Sequence, residues 1–203
     1  MPIKVLYFDL ETTGLDYKEH DIVQLAIIAE VDGKVVGQYE FKMQPKRTDN
    51  ISPEALKANG FTIEELQKFP PAEDVFPKIL LALDTHINKF DTKDKAYGCG
   101  YNIRFDISFL VEFFRRMDNP YLGSYIKWRD IDMLYLMYVY DLLGFHRLSN
   151  YKLGTVAKFY GMKHVEHDAL SDTMIVRELF HKFLFPFINW ENHKKFDGED
   201  KEQ

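Results

Sequence analysis

The chain has one cysteine, Cys99, among 203 residues. No internal disulfide can form, so a disulfide-scaffolded secreted domain is excluded and a reducing compartment fits. No apolar run reaches the ~18 residues that a membrane span needs. No basic n-region followed by an apolar stretch opens the sequence, so no secretory leader is read. There is no internal repeat and no low-complexity segment. These absences predict a cytoplasmic protein without a membrane partner.

Positive charge is also short. Lys and Arg number 26 against 32 Asp and Glu, a net charge of −6. That balance argues against a broad basic surface for polyanions. A metal-dependent nuclease escapes the objection, because cations on its carboxylates meet the phosphates. What is plentiful is apolar matter: 46% hydrophobic residues, with 17 Phe and 12 Tyr. One domain with a sizeable core is expected over 1–185, followed by an extension, 186–203, whose charged end frays.

Strands are predicted at 3–10, 21–30 and 35–42, with Asp32-Gly33 as the hairpin signal between the last two. Short helices follow Ser52-Pro53 and Thr62, and a longer one spans 72–88. A fourth strand is read at 95–100 and a fifth at 125–131. Helices are predicted at 107–117, 132–143, 151–160 and 169–184. The spacing of Ile107, Leu110, Val111 and Phe114 marks the buried face of the first of these. A strand meander followed by alternating helices and strands predicts an α/β domain, a mixed sheet with helices on its faces.

The chemistry starts at Phe8-Asp9-Leu10-Glu11-Thr12-Thr13-Gly14. Alternate strand residues share a face, so Asp9 and Glu11 project together. Adjacent carboxylates resist joint ionisation, and hard oxygen ligands select Mg²⁺ or Mn²⁺. A surface-facing strand end is the alternative. Asp106, beyond the fourth strand, stands at a helix start, where capping explains a lone Asp better than catalysis does; nearby Asn102 reads equally as a turn residue. His167-Asp168-Ala169-Leu170-Ser171-Asp172 opens the last long helix. Asp168 is its expected cap. Asp172 then faces inward with Leu170, Met174, Val176 and Leu179, and an inward Asp needs a partner or a metal.

Taken together, FDLETTG, YNIRFDISFL and HDALSD resemble the three motifs of the DEDDh family of 3′–5′ exonucleases, the DnaQ-like and ribonuclease-T-like group. The resemblance covers roughly residues 3–184. One departure is Tyr101, where the family often has His. The resemblance implies a ribonuclease-H-like fold, a mixed five-stranded sheet flanked by helices. It implies that Asp9, Glu11, Asp106 and Asp172 hold two divalent cations, Mg²⁺ or Mn²⁺, and that His167 is the general base. It places the Leu10–Thr13 backbone and the Thr13 side chain at the terminal 3′-hydroxyl, with Thr12 among the contacts. Leu15 becomes a wedge beside the terminal base, and Phe105 packs on its sugar or base, with Asn102 nearby; core packing is the alternative for Leu15 and Phe105. Lys152 and Arg104 are candidates for phosphate or for a solvated charged face. The implied substrate is single-stranded nucleic acid, DNA favoured over RNA. A polymerase or a second copy of the chain is the implied protein partner, and a silent binding module is the alternative to an enzyme.

Overall fold

The structure is a computed structural model that describes residues 1–163 and 168–188. Five strands form one sheet: β1 (Lys4–Thr12), β2 (Ile22–Val31), β3 (Lys34–Lys42), β4 (Ala96–Gly100) and β5 (Ile126–Asp132), in the order β3-β2-β1-β4-β5. β1 to β3 form the predicted antiparallel meander, while β4 and β5 run parallel to β1. The turn between β2 and β3 is Asp32-Gly33, both with positive φ, as a two-residue hairpin requires.

Seven α-helices accompany the sheet among the described residues: α1 (Pro53–Asn59), α2 (Ile63–Leu66), α3 (Ala72–His86), α4 (Ile103–Arg116), α5 (Met133–Leu142), α6 (Leu153–Phe159) and α7 (Ala169–Phe183). α1 begins with Ser52 as cap and Pro53 in its first turn, and α2 carries a capping box from Thr62 and Glu65. No helix among the described residues is long and apolar enough to cross a membrane.

The helices bury two separate faces of the sheet. Leu6, Phe8 and Leu10 of β1 join α3 and α4 in one core. Val5 and Tyr7 join Met133, Val156, Val176 and Phe180, from α5, α6 and α7, in the other. The two-residue period of β1 therefore sends its odd-numbered residues toward α7. Asp9 and Glu11 continue that row past the last apolar position.

Two predicted stripes are corrected. α4 starts at Ile103 rather than near 107, and its residue Val111 is 40% exposed, because Phe109, Leu110, Phe113 and Phe114 already fill the core side. In α7 Met174 is 43% exposed and Leu170 is only partly buried; the packed row is Ala169, Thr173, Val176 and Phe180.

Candidate active site

β1, β4 and β5 are parallel, so their carboxyl ends lie along one edge of the sheet. That edge gathers the acidic residues. β1 supplies Asp9 and Glu11 on its α7 face. α7 is capped by Asp168, whose carboxylate accepts the Ser171 N–H at 3.2 Å, and Asp172 sits one turn further in. The ligand atoms of Asp9, Glu11 and Asp172 lie within 4.8 Å of one another.

Asp106 reaches the cluster from α4. β1 pairs with β4 only over Val5–Tyr7, so the later N–H groups on that edge are outside the ladder. The Leu10 N–H faces the Asp106 carboxyl closely enough to favour its ionised form. Asp106 is buried, at 3% exposure, and belongs to the first turn of α4 rather than to its cap. The cap position is Asn102, left-handed at φ 62° and ψ 40°, exposed, and without a side-chain capping bond.

The electrostatics follow from this crowding. Burial pushes the Asp9 carboxyl well above the usual carboxylate range, and Asp106, Asp172, Glu11 and Asp168 add to the shift. Burial, then Asp172 and Asp168, raise Glu11 to about 7. Asp106 is also raised by burial, although its own N–H and that of Leu10 oppose the shift. Asp9, Glu11 and Asp106 thus hold their protons more tightly than ordinary carboxyls do, and a cation would displace them. The donor set is all carboxylate oxygen, which suits Mg²⁺ or Mn²⁺.

The remaining expectations divide. Leu15 is 84% exposed, so core packing does not explain it. Phe105 is packed against the core, its ring centroid 4.8 Å from that of Phe109. The side chains of Thr12 and Thr13 turn into the loop: Thr12 Oγ1 donates to the Gly14 carbonyl at 2.7 Å, and Thr13 Oγ1 accepts from the Asp21 N–H at 2.9 Å. Leu10 is buried. Tyr101, the departure in the second motif, points into the core and donates its hydroxyl to the Tyr151 carbonyl at 2.6 Å. His167 lies outside the described residues.

Two further acids at this edge lie outside the expected carboxylate set. Asp168, expected only as a cap, also adds to the upward shift of the Asp9 and Glu11 carboxyls. Asp132, at the end of β5, accepts the Asn102 N–H and raises Asp106. Its position directly after a strand was the available signal.

The sequence profile of a family described as exonuclease matches residues 6–180. The chain belongs to this exonuclease family. Among its relatives is DNA polymerase III PolC-type of Caldanaerobacter subterraneus subsp. tengcongensis, 28% identical over 179 residues, covering 87% of this chain and 11% of that one. Another is the DNA polymerase III subunit epsilon of Aquifex aeolicus, 25% identical over 178 residues, covering 87% of this chain and 78% of that one. The chain thus spans about a tenth of the PolC-type relatives. The fold matches E. coli exonuclease I in complex with a dT13 oligonucleotide, with TM-score 0.73 at 20% identity over 96% of this chain and 43% of that one. A zinc-bound form of the exonuclease I complex with single-stranded DNA gives TM-score 0.74 at 20% identity, covering 97% and 43%. The architecture of this exonuclease-family chain is therefore ribonuclease-H-like.

Proposed function

We propose that the chain is a metal-dependent 3′–5′ exonuclease that releases nucleoside 5′-monophosphates from single-stranded DNA. The observation that carries this reading is the convergence of Asp9, Glu11 and Asp172, with ligand atoms within 4.8 Å, beside the buried Asp106. Two divalent cations, when bound, supply an ionised water and stabilise the leaving 3′-oxygen. Asp9, which interacts with the other three acids, would help hold these cations together with Glu11, Asp172 and Asp106. An imidazole nitrogen of His167 takes the proton of the attacking water. Leu15 and Phe105 bracket the terminal base without reading its identity. The preference for DNA is supported by the polymerase relatives and by the oligonucleotide complex of the structural neighbour. The same relatives support a polymerase as protein partner.

A time course on 5′-labelled DNA and RNA strands of equal sequence, with Mg²⁺ or Mn²⁺, tests the reading. A descending ladder on DNA, abolished by EDTA and by Asp9→Ala or Asp172→Ala, is expected. His167→Ala should slow turnover and leave Mn²⁺ binding intact. A ladder that persists in EDTA would sink the metal mechanism, and faster loss of RNA would reverse the sugar preference.

A further inference from the structure

β5 is the edge strand on the far side of the sheet, and its pairing with β4 is broken at one place. Tyr97 opposes Lys127 and Cys99 opposes Ile131. Between those pairs β4 has Gly98 alone, whereas β5 has Trp128, Arg129 and Asp130. The extra length bows the strand outward, the usual way an edge strand re-aims side chains beside an active site.

What the bow presents is aromatic and cationic. Trp128 is 58% exposed, and Tyr121 just before the strand is 65% exposed. The indole is nevertheless seated. A side chain added at Gly123 would meet its Cζ2 at 2.8 Å, so glycine leaves the space on which the ring rests. The turn holding Gly123 is itself pinned, because Lys95 Nζ donates to the Gly123 carbonyl at 2.6 Å. Arg129, the next residue in the bow, is exposed. Lys127 lies 3.9 Å over the Tyr97 ring. Asp130, with its side chain almost fully buried, meets Arg104 Nε at 3.0 Å, so the bow is tied to the start of α4. Arg104 immediately precedes Phe105 and Asp106. Only one of its five N–H donors is needed for that bond.

Edge protection accounts for part of this set. Lys and Arg on an edge strand deter pairing with other chains. It does not account for the exposed indole, which invites association. A fixed aromatic face flanked by cations fits a single-stranded polyanion with unstacked bases. It also supplies, locally, the positive charge that a chain of net charge −6 lacks elsewhere.

We infer that Trp128, with Arg129 and Arg104, forms a stacking platform for the single-stranded nucleic acid a few nucleotides 5′ of the terminus held at the acidic cluster. This rests on the proposed exonuclease reading. β5 lies two strands from β1, roughly 10 Å across the sheet, and Trp128 stands back from the end of β5, so a dinucleotide at the cluster does not reach it.

The test uses the full chain in two assays. Anisotropy of a labelled single strand in EDTA reads binding without hydrolysis. Steady-state hydrolysis with Mn²⁺ compares that strand with a dinucleotide. Trp128→Ala should weaken strand binding and raise its KM about tenfold, leaving kcat and dinucleotide hydrolysis unchanged. Trp128→Phe should retain most of the binding, and Arg129→Ala should reduce its salt dependence by about one counterion. Strand binding unchanged in Trp128→Ala, or Trp128→Phe as weak as Trp128→Ala, overturns the platform. A wild-type chain that binds the strand through Trp128 but hydrolyses neither substrate removes the proposed activity and leaves the platform standing. A wild-type chain that hydrolyses both but binds no strand in EDTA does the reverse.

Discussion

Asp132 Oδ1 accepts the Asn102 N–H at 2.9 Å and the Leu134 N–H at 3.0 Å. One oxygen thus fixes the starts of two helices, α4 and α5. It also holds Asn102 in the left-handed conformation that turns β4 into α4 and delivers Asp106 to the cluster. A left-handed non-glycine residue persists only where its surroundings impose it.

Asp132→Ala removes that anchor. Loss of a helix cap costs about 1 kcal/mol, and the freed Asn102 shifts Asp106. The melting temperature should fall by a few degrees, and kcat should fall about tenfold. Asp132→Asn keeps the accepting oxygen and should retain most of both. Differential scanning fluorimetry with the strand assay checks this; an Ala variant equal to wild type in both would show that the anchor is idle.

Glu11→Gln separates activity from stability. The carboxyl of Glu11 is raised to about 7 by burial and by its acidic neighbours, so at neutral pH its charge is a burden to the metal-free fold. The Gln variant should melt at the same or a higher temperature than wild type without metal. It should lose hydrolysis and most of the Mn²⁺-induced stabilisation. A variant that is destabilised without metal would contradict the assigned repulsion.

Much of this arrangement was legible in the sequence because it is local. The D-x-E pair sits on a strand whose period is two, so Asp9 and Glu11 had to share a face. Asp32-Gly33 had to turn, and Ser52-Pro53 had to start a helix. The start of α4 was less legible, since Asn102 adopts its left-handed cap geometry only through Asp132, 30 residues away. Helix faces failed where neighbouring apolar residues fill the core side instead: Val111 and Met174 satisfy the helical spacing and still face solvent. Tyr101 was set apart as a departure from the second motif, but its hydroxyl serves Tyr151, a contact that no local pattern announces.

Metal dependence should vary with pH in a fixed sense. The Glu11 carboxyl moves from 4.5 to about 7 on folding, and Asp9 and Asp106 move in the same direction. A raised carboxyl binds its proton more tightly when folded, so this contribution to stability is complete below pH ~4.5 and is lost as pH rises through ~7. The metal-free protein should therefore become less stable across that window. Divalent cations bind the ionised carboxylates, so Mn²⁺ affinity should rise over the same window and level off above it. Thermal melts at a series of pH values, with EDTA or Mn²⁺, read both trends. A Mn²⁺ effect that is constant from pH 5 to 8 would contradict the shifted carboxyls.

Asp172 depends on how α7 is seated, and a buried ionic network seats it. Glu30 of β2 is 2% exposed and accepts from Tyr7 Oη at 3.1 Å and Arg177 Nε at 2.6 Å, with His181 Nε2 at 2.8 Å. The network joins β1, β2 and α7 behind the cluster. Removing one member of such a pair is more damaging than removing both, because the survivor is left charged and partnerless. Glu30→Ala should cost about 3 kcal/mol, a fall of about 6–12 °C in a chain of this size. Mn²⁺ affinity should fall with it as α7 shifts. The double variant Glu30→Leu with Arg177→Met replaces the pair by apolar volume and should recover most of the melting temperature. A double variant less stable than Glu30→Ala would show that the charges themselves, rather than their mutual satisfaction, hold α7 against the sheet.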